Sequence, residues 1–565
     1  MNVQVEEAAA GQKEKRLITA ALPYVNNLPH LGNVVGALLS GDVFARYCRI
    51  RGISTVFICG TDEYGTASEV SADKAGMSPS ELCAENSKKH KEVYDWFQVE
   101  CDSFGRTSCE RHKEITQKLF LEMHKNDSFV EREEQRYFCL ECKMFLADRY
   151  IAGTCGQCNS DQARGDQCDK CGVVLQPDEV LNAKCTTCGK SPEKRSTKHL
   201  FYKLDKHEDA VHELIDSHAL KWTPAARQIA FEWRGKALIP RCITRDLKHR
   251  WGVPVPLEEY EGKVLYVWFD APIGYITFTD MIGKASWWSD ESVDLYQFMG
   301  KDNVFFHSVF FPALLQGCDS VKKYPKVISS THYLTYEGDK FSKSQNRGIF
   351  GHHLLNDAMG PAGVWRFHLM RCRPETGDTD FLWKEFYESL NVMLINTIGN
   401  LCNRVLSYIN KSLVRKLSSC ALPKETAEAL NTHLVKYIMH MEDTEIRHAV
   451  QCIISVANVG NAYVQKAFNE KVDKAEMGSR MSAAVNILLL LSRMMYCIMP
   501  EESLKLMRML GVDGEPQLGD RFTEELQEGH EIRAPSILFS PLTDEQVTEV
   551  MKFCTGPCPF SKKKR

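Results

Sequence analysis

The sequence predicts an α/β domain, split by a metal-binding insertion and followed by an all-α helix bundle. Three features carry that reading. An apolar strand near the N-terminus runs through a Pro/Asn loop into an amphipathic helix, four Cys-x-x-Cys pairs fall within about fifty residues, and the C-terminal third has helical periodicity. At roughly 150 residues per domain, 565 residues ask for three or four units. A composition 44% hydrophobic and 25% charged excludes a disordered or collagen-like chain. With 70 basic against 74 acidic side chains, a net of −4 excludes a protein that coats nucleic acid by bulk charge, although a short basic patch stands at 562–565.

In chain order, Leu17-Ile18-Thr19-Ala20-Ala21-Leu22 reads as a buried strand and residues 23–29 as a turn-rich loop. His30-Leu31-Gly32-Asn33 then opens a helix carrying Val43, Phe44 and Tyr47 on its apolar face. A helix N-terminus offers free N–H groups to phosphate, and a glycine there lets a base approach the backbone. Residues 1–16 have no apolar core, so neither a secretory signal nor a transit peptide is expected and the cytoplasm is the expected compartment.

The pairs Cys139/Cys142, Cys155/Cys158, Cys168/Cys171 and Cys185/Cys188 supply eight thiolates, enough for two closed tetrahedral zinc sites of structural type. Gly156, Gly172 and Gly189 are expected to provide the tight backbone beside three of them. The four pairs can join sequentially, nested or crossed, and spacing leaves all three open.

Further on, Lys340-Phe341-Ser342-Lys343-Ser344, flanked by Gly338 and Gly348, reads as a mobile loop whose two lysines can face a polyphosphate. From about Phe386, apolar residues recur at helical spacing, as in Leu390, Leu394, Ile398 and Leu401. The apolar stretch 487–499 is interrupted by Ser492 and Arg493 and is too short for a membrane span, so a buried helix and no membrane association are expected.

His-Leu-Gly-Asn followed by the Lys-Phe-Ser-Lys-Ser loop resembles the two signatures of class I aminoacyl-tRNA synthetases. Asn33 stands at the second histidine of the first signature, and Phe341 at the methionine of the second. Ala21-Leu22-Pro23-Tyr24-Val25-Asn26, the segment 57–65, the four knuckles, the segment 266–275 and Gly300-Lys301-Asp302 sharpen the resemblance to the methionyl-tRNA synthetase family.

The resemblance implies a Rossmann-like parallel-sheet catalytic domain split by the knuckle insertion. The expected divisions are an N-terminal tail 1–16, catalytic halves 17–136 and 251–330, an insertion 137–250 with knuckles at 139–188, a loop and connecting domain 331–385, a helical anticodon-binding domain 386–550 and a basic tail 551–565. It implies methionine, ATP with Mg2+, and tRNA(Met) as substrates.

By the same resemblance, His30, Asn33, Lys340 and Lys343 act in catalysis, and His30, Gly32, Asn33, Gly300, Asp302 and Lys343 bind ATP. Leu22, Tyr24, Asp62, Trp268, Ala271, Pro272, Tyr275 and His307 form the methionine site, with Asp62 facing the ammonium. Asn400 and Arg404, one turn apart, read the anticodon. The family's tryptophan for anticodon stacking is replaced by Glu470, so either another aromatic such as Phe468 takes over or discrimination is weaker.

A monomer is expected, with tRNA affinity drawn from the core or from a separate protein partner. The competing readings are a sibling class I synthetase for another apolar amino acid and a non-catalytic RNA-binding protein on a degenerate synthetase.

Overall fold

The computed structural model describes residues 14–147, 150–165, 168–171, 173, 175, 179–342, 347–355, 359–419, 421–470 and 472–553. Its centre is a five-stranded parallel sheet in the spatial order Pro325–Thr331, Val293–Gly300, Lys15–Ala20, Ser54–Thr61, Ser103–Arg106. The strand Lys15–Ala20 is buried from Arg16 onwards, as expected where helices cover both faces of a parallel sheet. After it, chain order runs one way across the sheet to Ser103–Arg106, whereas the other two strands extend the opposite edge. The switch point therefore lies between Lys15–Ala20 and Val293–Gly300, where open α/β sheets bind ligands beyond their carboxyl ends.

The expected N-terminal helix forms in three pieces, Leu31–Asn33, a π-helical Val34–Leu39 and Ser40–Ile50. The wider π turn brings the backbone of Gly36 against the end of the strand Pro325–Thr331. A Cβ on Gly36 would sit 2.4 Å from Thr331 Oγ1, so only glycine fits.

The insertion leaves the sheet on a long antiparallel pair, Phe129–Cys139 against Glu193–Tyr202, which begins several residues before the first knuckle. Between its arms a small sheet pairs Ile151–Cys155 with Val180–Cys185.

The C-terminal third is the expected bundle, built mainly from Asn400–Ser412, Lys424–Glu442, Ile446–Asn469, Lys474–Met495 and Pro500–Met509. Residues 487–491 are buried inside it, and no helix among the described residues is long and apolar enough to cross a membrane. Periodicity did not reveal the non-helical strap 511–543. It returns across the bundle, with Ile532 N–H donating to Arg415 O and Leu518 N–H to Ile50 O, and leads into the helix Asp544–Met551.

Three buried arginines fasten bundle to sheet. Arg366 donates to Asp42 Oδ2 at 2.7 Å and to the carbonyls of Phe97, Cys497 and Ile498. Arg373 reaches Ser40 Oγ, Ser329 Oγ and Thr444 O, and Arg16 donates to Glu442 at 2.7 Å. Arg366 and Arg373 answer buried acceptors that would otherwise cost about 1–3 kcal/mol each unpaired.

Candidate active site

At the switch point a cavity of about 570 Å3 opens between the loop after the first strand and the ends of the strands Val293–Gly300 and Pro325–Thr331. Leu22, Tyr24, His30, Gly32, Asn33, Gly300 and Asp302 line it, with Phe341 from the lysine loop above. His30 caps the helix that follows. Its Nδ1 accepts the Gly32 N–H at 3.1 Å, while Asn33 Oδ1 accepts the His30 N–H at 3.1 Å. Burial lowers the His30 pKa to about 4, so the ring is neutral at physiological pH. With Nδ1 accepting, the ring proton resides on Nε2, which makes His30 a neutral donor. Asn33, its oxygen engaged, has its amide NH2 to offer.

The second signature folds over the first. Gly351 N–H donates to Pro29 O at 2.8 Å, and the Phe341 ring stacks on His30 at 4.5 Å with planes 6° apart. Gly348, at φ +117°, leaves the room this ring occupies, since a Cβ there would lie 2.3 Å from Phe341. Ser342 and Arg347 exchange both backbone hydrogen bonds at 2.9 Å, which ties together the two described ends of the loop. Lys340 is exposed at its base and does not line the cavity. Lys343 lies outside the described residues.

The expected methionine residues come together beside the cavity. Tyr24 and Asp62 form a backbone bridge, with Asp62 N–H donating to Pro23 O at 2.9 Å. Leu22 packs over Gly274 in the helix Ile273–Met281, the element that also carries Tyr275. Tyr275 and His307 are buried and hydrogen-bonded, Oη to Nε2, at 2.8 Å. His307 Nδ1 faces Asn303 O at 2.8 Å and must carry the proton, so Nε2 accepts and the tyrosine hydroxyl donates. Burial lowers the His307 pKa to about 4. Trp268 packs edge-on against Phe306 at 4.8 Å, next to Ala271 and Pro272. Of this set only Leu22 and Tyr24 reach the cavity wall. Asp62, Trp268, Tyr275 and His307 do not line it.

Asp62 is 3% exposed and its Oδ1 has no partner among the described residues. Burial, with Asp270 and Glu63 nearby, pushes its carboxyl well above the usual range. A buried carboxylate oxygen without a donor is costly until a cation arrives.

Sequence reading missed Asp270, equally buried, with Oδ2 3.4 Å from His112 Nε2. It missed Tyr333 as well, which lines the cavity and donates to Asp302 Oδ1 at 2.6 Å. Asp270 sits within a quoted motif but reads as helix filler. Tyr333 has no local signal, because only the strand end beside Gly300 brings it there.

The eight knuckle cysteines gather as two nested sets. Cys139, Cys142, Cys185 and Cys188 form the outer one, and Cys155, Cys158, Cys168 and Cys171 the inner. Sγ separations are 3.4 Å for Cys139–Cys188, 3.9 Å for Cys142–Cys185, 3.9 Å for Cys155–Cys171 and 3.7 Å for Cys158–Cys168. A tetrahedron of 2.3 Å zinc–sulfur bonds asks for about 3.8 Å. Both sets fit the ion by donor chemistry and spacing. The expectation for Gly156 needs correcting. The left-handed residue is the one after the second cysteine, Lys143, Asn159 or Gly189, and Gly156 is not among the positive-φ glycines. The turn must reverse there to bring the next N–H groups towards sulfur. Gly172 lies outside the described residues.

On the bundle, Asn400 is exposed at the start of its helix. Arg404 donates to Gln465 Oε1 at 3.0 Å and lies 5.0 Å over the Phe468 ring. Glu470 turns away to Arg480 at 2.5 Å.

Comparison with known proteins agrees with this arrangement. Residues 16–406 match the family model described as tRNA synthetases class I (M), and 419–557 match the anticodon binding domain of methionyl tRNA ligase. The chain is 42% identical to a relative from Encephalitozoon cuniculi named "Probable methionine-tRNA ligase, cytoplasmic", over 95% of this chain and 98% of that one. It is 41% identical to the cytoplasmic methionine-tRNA ligase of Arabidopsis thaliana, over 96% of this chain and 72% of that one. In fold it resembles the Mycobacterium tuberculosis methionyl-tRNA synthetase bound by methionyl-adenylate, with a TM-score of 0.75 at 20% identity, covering 93% of this chain and 100% of that one.

Proposed function

The chain belongs to the class I methionyl-tRNA synthetases, and from that membership we infer an ATP-dependent methionine-tRNA ligase whose work is divided among the residues above. Its relatives carry cytoplasmic names, and we place it in that compartment. The observation that supports the reading best is the convergence of His30, Asn33, Gly300, Asp302 and Phe341 on one cavity, with the partnerless Asp62 oxygen beside it.

In the first step a methionine carboxylate oxygen attacks the α-phosphorus of ATP, whose bond to pyrophosphate breaks. Asp62 fixes the ammonium by a charge-assisted hydrogen bond, while Tyr24, Trp268, Tyr275 and His307 surround the thioether, with Leu22, Ala271 and Pro272 completing the wall. Sulfur over aromatic rings gains roughly 0.3–1.5 kcal/mol per contact. His30 donates Nε2–H, and Asn33 its amide, to phosphate oxygens. Gly32 leaves space for adenine, Gly300 and Asp302 hold the adenosine, and Lys340 and Lys343 meet the departing pyrophosphate. Mg2+ enters with ATP. No side chain becomes covalent, and the rate comes from positioning and charge stabilisation.

In the second step the terminal ribose of tRNA(Met), through its 2′-hydroxyl, attacks the adenylate carbonyl and AMP leaves. Asn400 and Arg404 read the anticodon, and Phe468, held beneath Arg404, supplies the stacking surface. The eight cysteines hold two structural zinc ions. We take the chain to act as a monomer, with further tRNA affinity coming from a protein partner because a net charge of −4 gives little bulk attraction.

ATP–pyrophosphate exchange with a panel of amino acids tests the reading without tRNA. Methionine-dependent exchange is expected. Exchange with leucine, isoleucine or valine instead would reassign the substrate, and none in a folded, zinc-loaded preparation would leave a non-catalytic RNA binder.

A further inference from the structure

A third group of metal-ligand type lies far from the knuckles, at the hairpin joining Lys424–Glu442 to Ile446–Asn469. His440 stands in the last turn of the first helix, Glu445 at the N-cap of the second, and His448 in its first turn. Both imidazoles direct Nδ1 at the same carboxylate oxygen, Glu445 Oε2, at 2.7 Å from His440 and 3.7 Å from His448. Their rings lie 27° from parallel with centroids 5.0 Å apart. Ligands of a tetrahedral ion with bonds near 2.0 Å sit about 3.3 Å apart, and the two observed separations bracket that value.

The backbone under these side chains is held from several sides. Thr444 is buried in the left-handed region at φ +57°, and its carbonyl accepts from Arg373. Glu445 N–H donates to His440 O at 2.7 Å, and Arg447 N–H donates to Glu375 at 3.0 Å. Glu442, one helical position before the turn, accepts from both Arg16 and Tyr47 of the sheet domain. Acidic residues crowd the turn. Glu442, Asp443 and Glu445 fall within four consecutive positions. A cation would relieve that field.

We propose that His440, Glu445 and His448 bind one divalent transition-metal ion of the zinc type. Two imidazoles and one carboxylate suit such ions, and the half-exposed outer side leaves room for water to complete the coordination. The ion ties the ends of two bundle helices together where the bundle is fastened to the catalytic sheet through Arg16 and Arg373.

The test uses the untagged full chain. Wild type, H440Q/H448Q and H448Q are dialysed against low-micromolar Zn2+ and their bound metal is counted. Wild type should hold one ion per chain more than the double variant, and H448Q, altered at an exposed position, should weaken that extra ion at least tenfold. Unchanged cysteine-bound zinc and unchanged pyrophosphate exchange confirm that each variant is folded. Equal metal content in wild type and H440Q/H448Q would overturn the site.

Discussion

The pocket proposed for methionine and the knuckle insertion both contain groups that the chain does not satisfy by itself, and they handle this in opposite ways. In the insertion, eight sulfurs stand in two sets at distances that suit a tetrahedral metal ion. The pocket leaves Asp62 Oδ1 buried without a partner, which suits a ligand that must come and go. On the proposed function, one region uses the unmet demand to fold, and the other to recognise. The difference also separates local from distributed construction. Each knuckle spans four residues, whereas the pocket draws on positions from Leu22 to His307.

The largest expected effect lies in the insertion. Structural zinc contributes on the order of 10–16 kcal/mol in small peptide models. Replacing Cys139 and Cys142 by serine, or Cys185 and Cys188, should therefore abolish the same single ion and unfold the outer half of the insertion. The inner ion should remain. Metal analysis and hydrogen exchange check this, and a pattern in which the two replacements remove different ions would break the nested pairing.

Next comes Asp62→Asn, which leaves the ammonium facing a neutral amide. Breaking a buried ion pair costs about 3–5 kcal/mol, so kcat/KM for methionine should fall several hundredfold or more with zinc content unchanged. A change below tenfold would place the ammonium elsewhere.

Lys343→Ala should slow adenylate formation about a hundredfold, near 3 kcal/mol for one lost transition-state contact, as read by single-turnover kinetics. Near-normal activation would remove that lysine from the chemistry.

A smaller effect is expected for Tyr275→Phe, which deprives His307 Nε2 of its donor. A net hydrogen bond of about 1.4 kcal/mol corresponds to a tenfold loss in kcat/KM for methionine. Tyr275→Phe matching wild type would mean the pair only packs.

The mildest prediction concerns pH. His30 and His307 have pKa values near 4 against the usual 6.5, so between these values the unfolded chain binds more protons than the native one. Their contribution to stability is full above about 6.5 and declines as pH falls towards 4. Imidazole resonances followed by NMR should show neither ring titrating between pH 8 and 6. A transition near 6.5 would contradict their burial.

Much of the site was legible because signature residues keep fixed local spacing. His30, Gly32 and Asn33 fall within one helical turn, so their capping geometry follows from adjacent sequence. The parts that were not legible depend on contacts between distant segments. Tyr333 reaches Asp302 only because two neighbouring strands end side by side, and Phe341 lies on His30 only because residues 349–351 return to Pro29 and Leu31. The strap 511–543 escaped periodicity because it has no period. Its backbone is satisfied by other segments.

By itself the sequence determined the strand-to-helix start, the eight thiols and the helical third, because strand, knuckle and helix are set by neighbours a few residues apart. Tertiary structure alone decided which cysteines meet, that Tyr275 meets His307, and that Asp62 is buried without a partner. Those outcomes depend on segments that are not neighbours in sequence packing against one another and, at Asp62, on excluding water, and spacing along a chain encodes neither.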